Sequence, residues 1–481
     1  MGTFSPIFAI LLSLLSLSQI AHAACKLIHK GKSSDLLLKG TLLTSAGAIH
    51  DTHVLVQSSK ITYVGNGSNM PHRAALHAQV LECYDSVISP GFINTHEHIE
   101  YSTINPLPDI GERDNHRHDW RKGLRNHTLR QAEVNGTMAN ATMWGELRHI
   151  FSGTTSIIGG GMVSGLARNL DFVAGLEEGL VAPAAVWDTF PLEDVAGILR
   201  NGNCDYGLFP IDRETAGKYN RYLAHVSEGI DAEARNEFKC LSNSTFDTIP
   251  LPAGGGLSTD IIAPNLALVH ALGLSELDFD LVAARGAMVV WSPRSNVFLY
   301  GKTLDVSYLL AAGITVALGT DWLPSGSATM AREAVCAVDV MKRSYNVTLE
   351  PKTLWEMATI NAAKVAGLEM HVGSIEVGKV ADIVVIGRGK EKDPFAQAVY
   401  AATENIELVV RGGKVLVAGP GLEELAEGDC ELVLFGNVRK TVCVRSEIGV
   451  SFRDLRNNLG GVYPAVLPGV PKDEPTCVPT R

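Results

Sequence analysis

The chain has 481 residues, 46% of them hydrophobic and 19% charged, with 47 glycines. That is the composition of a globular protein long enough for a large barrel plus a smaller domain. The formal net charge of −11 argues against a nucleic-acid partner, which needs a basic face; solubility alone accounts for it.

The N-terminus reads "MGTFSPIFAILLSLLSLSQIAHAACK". Residues 7–17 are almost wholly apolar and are followed by "AHA", a small-residue cleavage pattern, so 1–23 is expected to be a secretory signal peptide, although its start lacks Lys or Arg. The run is too short to span a bilayer, and no other stretch is apolar enough, so no stable membrane association is expected. Export fits two further features. Six N-x-S/T sequons, at Asn66, Asn126, Asn135, Asn140, Asn243 and Asn346, are candidate glycan acceptors. Eight cysteines are expected to pair in part in an oxidising compartment, with Cys204–Cys240 and Cys430–Cys443 as the local candidates.

Residues 24–88 hold short β segments, "DLLLKGTLLTSAG", "THVLVQSSKITYVG" and "AQVLECYDSVI", punctuated by "GNGSN". From 89 to 370 apolar strand-like runs ("TSIIGGG", "APAAVWDTF", "RYLAHVSEG", "LALVHALG", "AMVVWSP", "TVALGTD") alternate with helical stretches such as "DAEARNEFKCL" and "LWEMATINAAKVAGL". That alternation predicts a (β/α)₈ TIM barrel, an α/β fold. Short strands return over 371–450. The prediction is a small β-sandwich domain formed from both ends of the chain, with the barrel inserted. The Pro- and Gly-rich tail from 451 to 481 is expected to be loosely structured.

Barrel chemistry sits at the C-terminal ends of the strands. "FINTHEHIEY" ends the first one. In a strand, positions i and i+2 share a face, so His96 and His98 aim at one point. Later strand ends carry His225, His270 and Asp321. Histidines and a carboxylate in this placement suit a borderline divalent ion such as Zn²⁺ with one position left for water. Each has a plainer alternative: His225 and His270 as core histidines, Glu228 as a residue favoured by a helix N-terminus, Asp321 as a turn residue.

"SPGFINTHEH", "HVSEG", "GTDW" and "GSIEVGKVADIVVI" together resemble the amidohydrolase superfamily, over roughly residues 35–420. Within it the pattern is similar to the mononuclear branch of deaminases, imidazolonepropionase and triazine hydrolases. Binuclear members use a carboxylated lysine on the fourth strand; the matching "AVWDTFPLED" has none. The resemblance implies that His96, His98, His225 and Asp321 bind one divalent metal, zinc or alternatively Fe²⁺. It implies that His270 orients water or substrate, and that Glu228, raised in pKa by desolvation, moves a proton. The expected activity is hydrolysis of a non-peptide C–N bond by metal-activated water. The substrate would be a small heterocycle or amide, opened or deaminated, with a homodimer as the suggested assembly. A secreted binding protein or pseudoenzyme with the same fold is the alternative.

"VVWSPRSNVFLYGKT" departs from the corresponding family segment, with Trp291 in place of a histidine and Arg294 as an added charge. Either they pack and solvate, or they face the pocket, where Arg294 would meet an anionic substrate group. The stretch "ERDNHRHDWRKG", 112–123, is either a lid over the pocket or a solvated basic loop, with His116 and His118 as loop residues.

Overall fold

The computed structural model describes residues 25–481 apart from 131, 133–136, 160, 162, 174–179 and 250–255. The leader at 1–23 and the sequon residue Asn135 therefore lie outside the described residues. No helix among the described residues is long and apolar enough to cross a membrane.

Five strands open the chain: β1 (Lys26–His29), β2 (Leu36–Thr44), β3 (Gly47–Gln57), β4 (Lys60–Gly65) and β5 (Gln79–Pro90). Eight short strands follow: β6 (Phe92–Asn94), β7 (Thr154–Ile157), β8 (Arg168–Asn169), β9 (Val186–Asp188), β10 (Tyr222–Val226), β11 (Leu266–His270), β12 (Met288–Trp291) and β13 (Val316–Leu318). The last five are β14 (Ile383–Gly387), β15 (Ile406–Arg411), β16 (Lys414–Ala418), β17 (Glu431–Phe435) and β18 (Val438–Val442).

Strands β6 to β13 form two parallel arcs, β6-β7-β8 and β9-β10-β11-β12-β13. Backbone bonds close both seams. Ala185 N donates to Leu170 O at 2.9 Å between the arcs on one side, and Thr95 N to Leu318 O at 3.4 Å on the other. The result is an eight-stranded parallel ring. Strands buried on both faces read as near-continuous apolar runs, as in "LALVH" and "MVVW". Alternation divides them between two cores. Tyr222, Ala224, Leu266, Leu268, Val289, Trp291 and Leu318 pack outward with the surrounding helices. Leu223, Ala267, Val269, Val290 and Ala317 fill the interior together with Ala362, Ala363 and Val365 of the helix Ile360–Ala366.

The remaining ten strands form one hydrogen-bonded sheet rather than two separate ones, in the order β17-β18-β16-β15-β14-β5-β2-β3-β4 with β1 on β5. Register shifts at Gly40/Thr41 of β2 and Val385/Ile386 of β14 bend it. Leu36, Leu38, Val54 and Leu81 from the first strands thereby share a core with Ile383, Val385, Leu408 and Val410 from the last. The expected sandwich is therefore a single sheet enclosing its own core.

All eight cysteines are paired: Cys25–Cys83, Cys204–Cys240, Cys336–Cys477 and Cys430–Cys443. The tail is not loose. It forms the helix Phe452–Leu459, stacks Phe452 on Trp144 at 5.5 Å, and is bonded at Cys477. Its Pro and Gly prevent long elements but leave the backbone free to follow the barrel surface.

Candidate active site

His96 and His98 follow β6, and His225 ends the inward row Leu223, His225 of β10. His270 needs a different device. Ala267 and Val269 already point inward, so a regular strand would send residue 270 outward. Its φ of +67° breaks the alternation. Asp321 also sits in the left-handed region, at φ +59°. Non-glycine residues there are held by their surroundings and concentrate at functional sites.

The five side chains converge. His96 Nε2 lies 3.2 Å from His225 Nε2 and 3.2 Å from Asp321 Oδ1. His98 Nε2 is 3.5 Å from Asp321 Oδ1, and His270 Nε2 is 3.8 Å from Asp321 Oδ2. The far ring nitrogens are engaged: His96 Nδ1 with Ser292 Oγ at 2.7 Å, His225 Nδ1 with the Asp188 carbonyl at 3.1 Å, His270 Nδ1 with Asn296 Oδ1 at 3.1 Å. A carbonyl only accepts, so His225 Nδ1 carries its proton and its Nε2 presents a lone pair. Burial, and then the neighbouring histidines, hold His96 and His225 well below the ordinary value of 6.5. These are neutral imidazoles, and the bare Nε2 of His225 is aimed at His96 Nε2, a geometry that suits a cation shared between the two rings. Three imidazoles and a carboxylate, with second nitrogens oriented by outer partners, make a site for a single divalent ion of the zinc type.

Asp321 is itself pinned. Ser295 Oγ donates to Oδ2 at 2.6 Å and Trp322 N to Oδ1 at 2.7 Å. Burial raises its pKa above 3.8, which makes it a better proton acceptor. Trp187 on β9 lies 4.7 Å from the His225 ring and 5.3–5.4 Å from those of His96 and His98. An indole thus stands beside the cluster on β9, a strand that carries no lysine.

Glu228 faces the same point, with Oε2 3.8 Å from His270 Nε2. Its pKa departs from the expectation. Burial pushes it up, but His270, Arg117, the Tyr300 hydroxyl and Arg121 together outweigh burial, and the group lies below 4.5. Tyr300 OH donates to Glu228 Oε1 at 2.7 Å, and Trp120 Nε1 donates to Tyr300 OH at 2.9 Å.

Two expected substrate residues lie elsewhere. Trp291 points to the outer layer, its Nε1 donating to Thr303 Oγ1 at 2.7 Å. It occupies the outward register of β12. Arg294 is 3% exposed and bonded to Ser327 Oγ (2.6 Å) and Glu474 (3.2 Å).

The 112–123 stretch is not a solvated loop. His116 Nε2 lies 3.1 Å from Glu237 and His118 Nε2 2.7 Å from Asp194, all four buried. Its helix Arg117–Lys122 lines a cavity of about 250 Å³ with Arg117, Trp120 and Arg121, opposite His98, Glu228 and Trp322. Arg117 is held by Asp194 at 2.6 Å and Glu237 at 3.3 Å. Arg121 stacks over Phe190 at 4.3 Å and donates to His118 Nδ1 at 2.9 Å. Among the described residues Arg121 forms no ion pair with a carboxylate. Trp120 stacks on Trp322, centroids 5.1 Å apart. The sequence signal for these wall residues was the density of Arg, His and Trp just after the first histidine pair. Tyr300 and Trp187 gave no signal beyond an apolar run.

Residues 224–416 match the amidohydrolase family. That segment carries His225, Glu228, His270 and Asp321; the His96–His98 pair lies before it. The chain is similar to the 5-methylthioadenosine/S-adenosylhomocysteine deaminase of Thermococcus kodakarensis, 26% identical over 399 residues, 76% of this chain and 89% of that one. It is also similar to the 5'-deoxyadenosine deaminase of Methanothermobacter thermautotrophicus, 25% identical over 82% of this chain and 96% of that one. A solved adenosine deaminase from Xanthomonas campestris with bound zinc shares the fold, with a TM-score of 0.56 at 19% identity, covering 88% of this chain and 98% of that one. The donor set here and the zinc bound in that solved deaminase are consistent with one divalent metal.

Proposed function

We propose that this chain is a zinc-dependent hydrolase of non-peptide C–N bonds that deaminates, or hydrolytically opens, a small planar heterocycle. The observation that carries the reading is Glu228 lining the same cavity as His98, His225, His270 and Asp321, whose donor atoms cluster with that of His96. A divalent ion held there supplies a water whose pKa is lowered toward neutrality.

The chain's own residues do the rest. Asp321, raised in pKa and steadied by Ser295, accepts a proton. Glu228 begins ionised, so it first takes a proton and then returns it to the ring nitrogen or leaving amine. His270, fixed by Asn296, orients the reacting carbonyl or imine carbon. A cavity near 250 Å³ is at the small end for ligand sites and suits one ring. The Trp120–Trp322 pair gives that ring a flat wall, and Arg121 offers a cation to an anionic or strongly polar substituent. Export is part of the proposal: the leader at 1–23 and four disulfides suit an oxidising compartment. Exposed Asn66, Asn126, Asn243 and Asn346 and half-buried Asn140 are then glycan candidates.

The test is elemental mass spectrometry of the purified protein beside Asp321→Ala, followed by a panel of adenosine, 5'-methylthioadenosine, S-adenosylhomocysteine, guanine, imidazolones and triazines. About one zinc per chain, lost in the variant, with ammonia release or ring opening on a panel member, is the expected result. Two metals per chain would overturn the mononuclear site. One metal without turnover on any member would favour the binding-protein reading.

A further inference from the structure

Asp321 alone of its loop has its backbone in the left-handed region, and such a conformation persists only when its surroundings over-determine it. The surroundings come from far along the chain. Ser295 Oγ, which donates to Asp321 Oδ2, also bonds Ser325 Oγ at 2.8 Å on the same loop. Next to Ser295, Arg294 donates from Nε to Ser327 Oγ at 2.6 Å, and its backbone N donates to Glu333 Oε1 at 3.0 Å. The other end of its guanidinium is held by the tail, through the Pro475 carbonyl and Glu474 Oε2 at 3.2 Å, and by the Arg332 carbonyl at 3.1 Å. Glu474 is in turn gripped by Arg332, with bonds of 2.9 and 2.6 Å. Two residues on from Pro475 the chain is covalently joined to the helix that carries Arg332, Met330–Tyr345, through Cys477 to Cys336. Tyr463 and Leu467 pack with Leu323 and Ala328 of the loop.

We propose that residues 474–477 are a clamp on the metal site, with Arg294 as the positioning residue that transmits it to Asp321 and the Cys336–Cys477 disulfide as its latch. Arg294 is 3% exposed, and a buried guanidinium must keep its partners. Without Glu474 and the Pro475 carbonyl it would turn toward water and release Ser327, and the loop would lose the geometry that places Asp321. The disulfide holds the tail at the helix, so the clamp closes within one molecule. Because Cys477 is partly exposed, a reductant can reach it, and loss of the latch is expected to loosen the metal rather than unfold the barrel. This inference rests on the metal reading of the site.

The experiment uses the full chain loaded with zinc, and follows release into EDTA and a chromogenic zinc dye. The variants are Cys336→Ser/Cys477→Ser and Glu474→Ala, with Cys430→Ser/Cys443→Ser as a remote disulfide control. A direct outer partner of a metal ligand, such as Ser295 here, is worth about 10- to 100-fold in metal affinity; the clamp acts one step further out, so release from the two clamp variants is expected to be faster by up to about 10-fold. Their cobalt-substituted visible spectra are expected to change, Glu474→Asp to restore part of the retention, and the control to match the wild type. Far-UV circular dichroism checks the fold. If the double cysteine variant does not fold, Glu474→Gln, which keeps the disulfide, decides. Clamp variants with wild-type release rates and unchanged cobalt spectra would overturn the clamp alone. A wild type that holds no metal would overturn the metal reading and the clamp with it.

Discussion

Glu228 accepts from the Tyr300 hydroxyl at 2.7 Å and stands within 3.8 Å of His270. On the proposed function this carboxylate moves a proton and does not hold the ion. Glu228→Gln is therefore expected to keep its metal and lose turnover by about 10²- to 10⁴-fold, the usual worth of a positioned acid–base group. Metal analysis beside kcat on the same sample checks this, and a variant that loses metal would place Glu228 among the ligands. At this scale much of the site was legible. His96, His98, His225, His270 and Asp321 stood out because ligand-type residues at successive strand ends are rare by chance. Trp187 and Tyr300 did not, and Arg121 showed only as part of a stretch dense in Arg, His and Trp. Aromatics in apolar runs look like core, and Arg121 is set over the cavity by a six-residue helix whose docking no local pattern reports. The sign of the Glu228 shift was missed for a related reason. Desolvation is guessable from an apolar run, but the opposing Arg117 and Tyr300 come from 111 and 72 positions away in the chain.

The helix Met330–Tyr345 buries Glu333 and Cys336 and keeps Arg332 part-exposed, and Glu333 gives it a pH dependence. Burial raises this carboxyl to about 7, against the lowering effect of Arg294. Its unfolded value is 4.5. The folded chain thus holds a proton that the unfolded chain has released between about pH 4.5 and 7. Stability from this group is complete below 4.5 and is lost as pH rises through about 7. The shift corresponds to roughly 3 kcal/mol at most, at 1.36 kcal/mol per unit. Glu333→Gln is expected to be less stable than wild type at pH 5 by more than at pH 8, or to overtake it there. Urea midpoints at the two pH values measure the difference, and an equal offset at both would show that Glu333 is ionised throughout. Elements with long apolar runs, such as β11 and β12, were legible in outline. Strand β8 was not: it is two residues, Arg168 and Asn169, both polar and fully buried. Its burial depends on partners that arrive from Glu146 and Asp382, so no period or propensity marks it.

The ring of strands and the ten-stranded sheet meet through these same polar residues. Arg168 Nε donates to Asp382 Oδ2 at 2.6 Å, Gly412 N donates to Asp382 Oδ1 at 2.6 Å, and Arg411 donates to the Leu166 carbonyl. Asp382 belongs to "GKVADIVVI", one of the stretches that carried the family resemblance; its place in the fold is the seam between the layers rather than the catalytic cavity. A two-layer arrangement built from both chain ends was legible in the sequence because strands bracket the barrel. The seam was not, since a buried pair 214 residues apart leaves no local trace. Removing one member of a buried ion pair costs about 3–5 kcal/mol, whereas replacing both by packed apolar residues is often neutral. Asp382→Ala is therefore expected to lower the stability of the whole chain by about that amount, read from the urea midpoint at unchanged slope, and to leave zinc content at its wild-type level. The double change Arg168→Met/Asp382→Leu is expected to recover most of the loss. If the single and double variants are equally destabilised, the seam depends on the Gly412 and other backbone bonds made by these residues, and the charge pair is incidental to it.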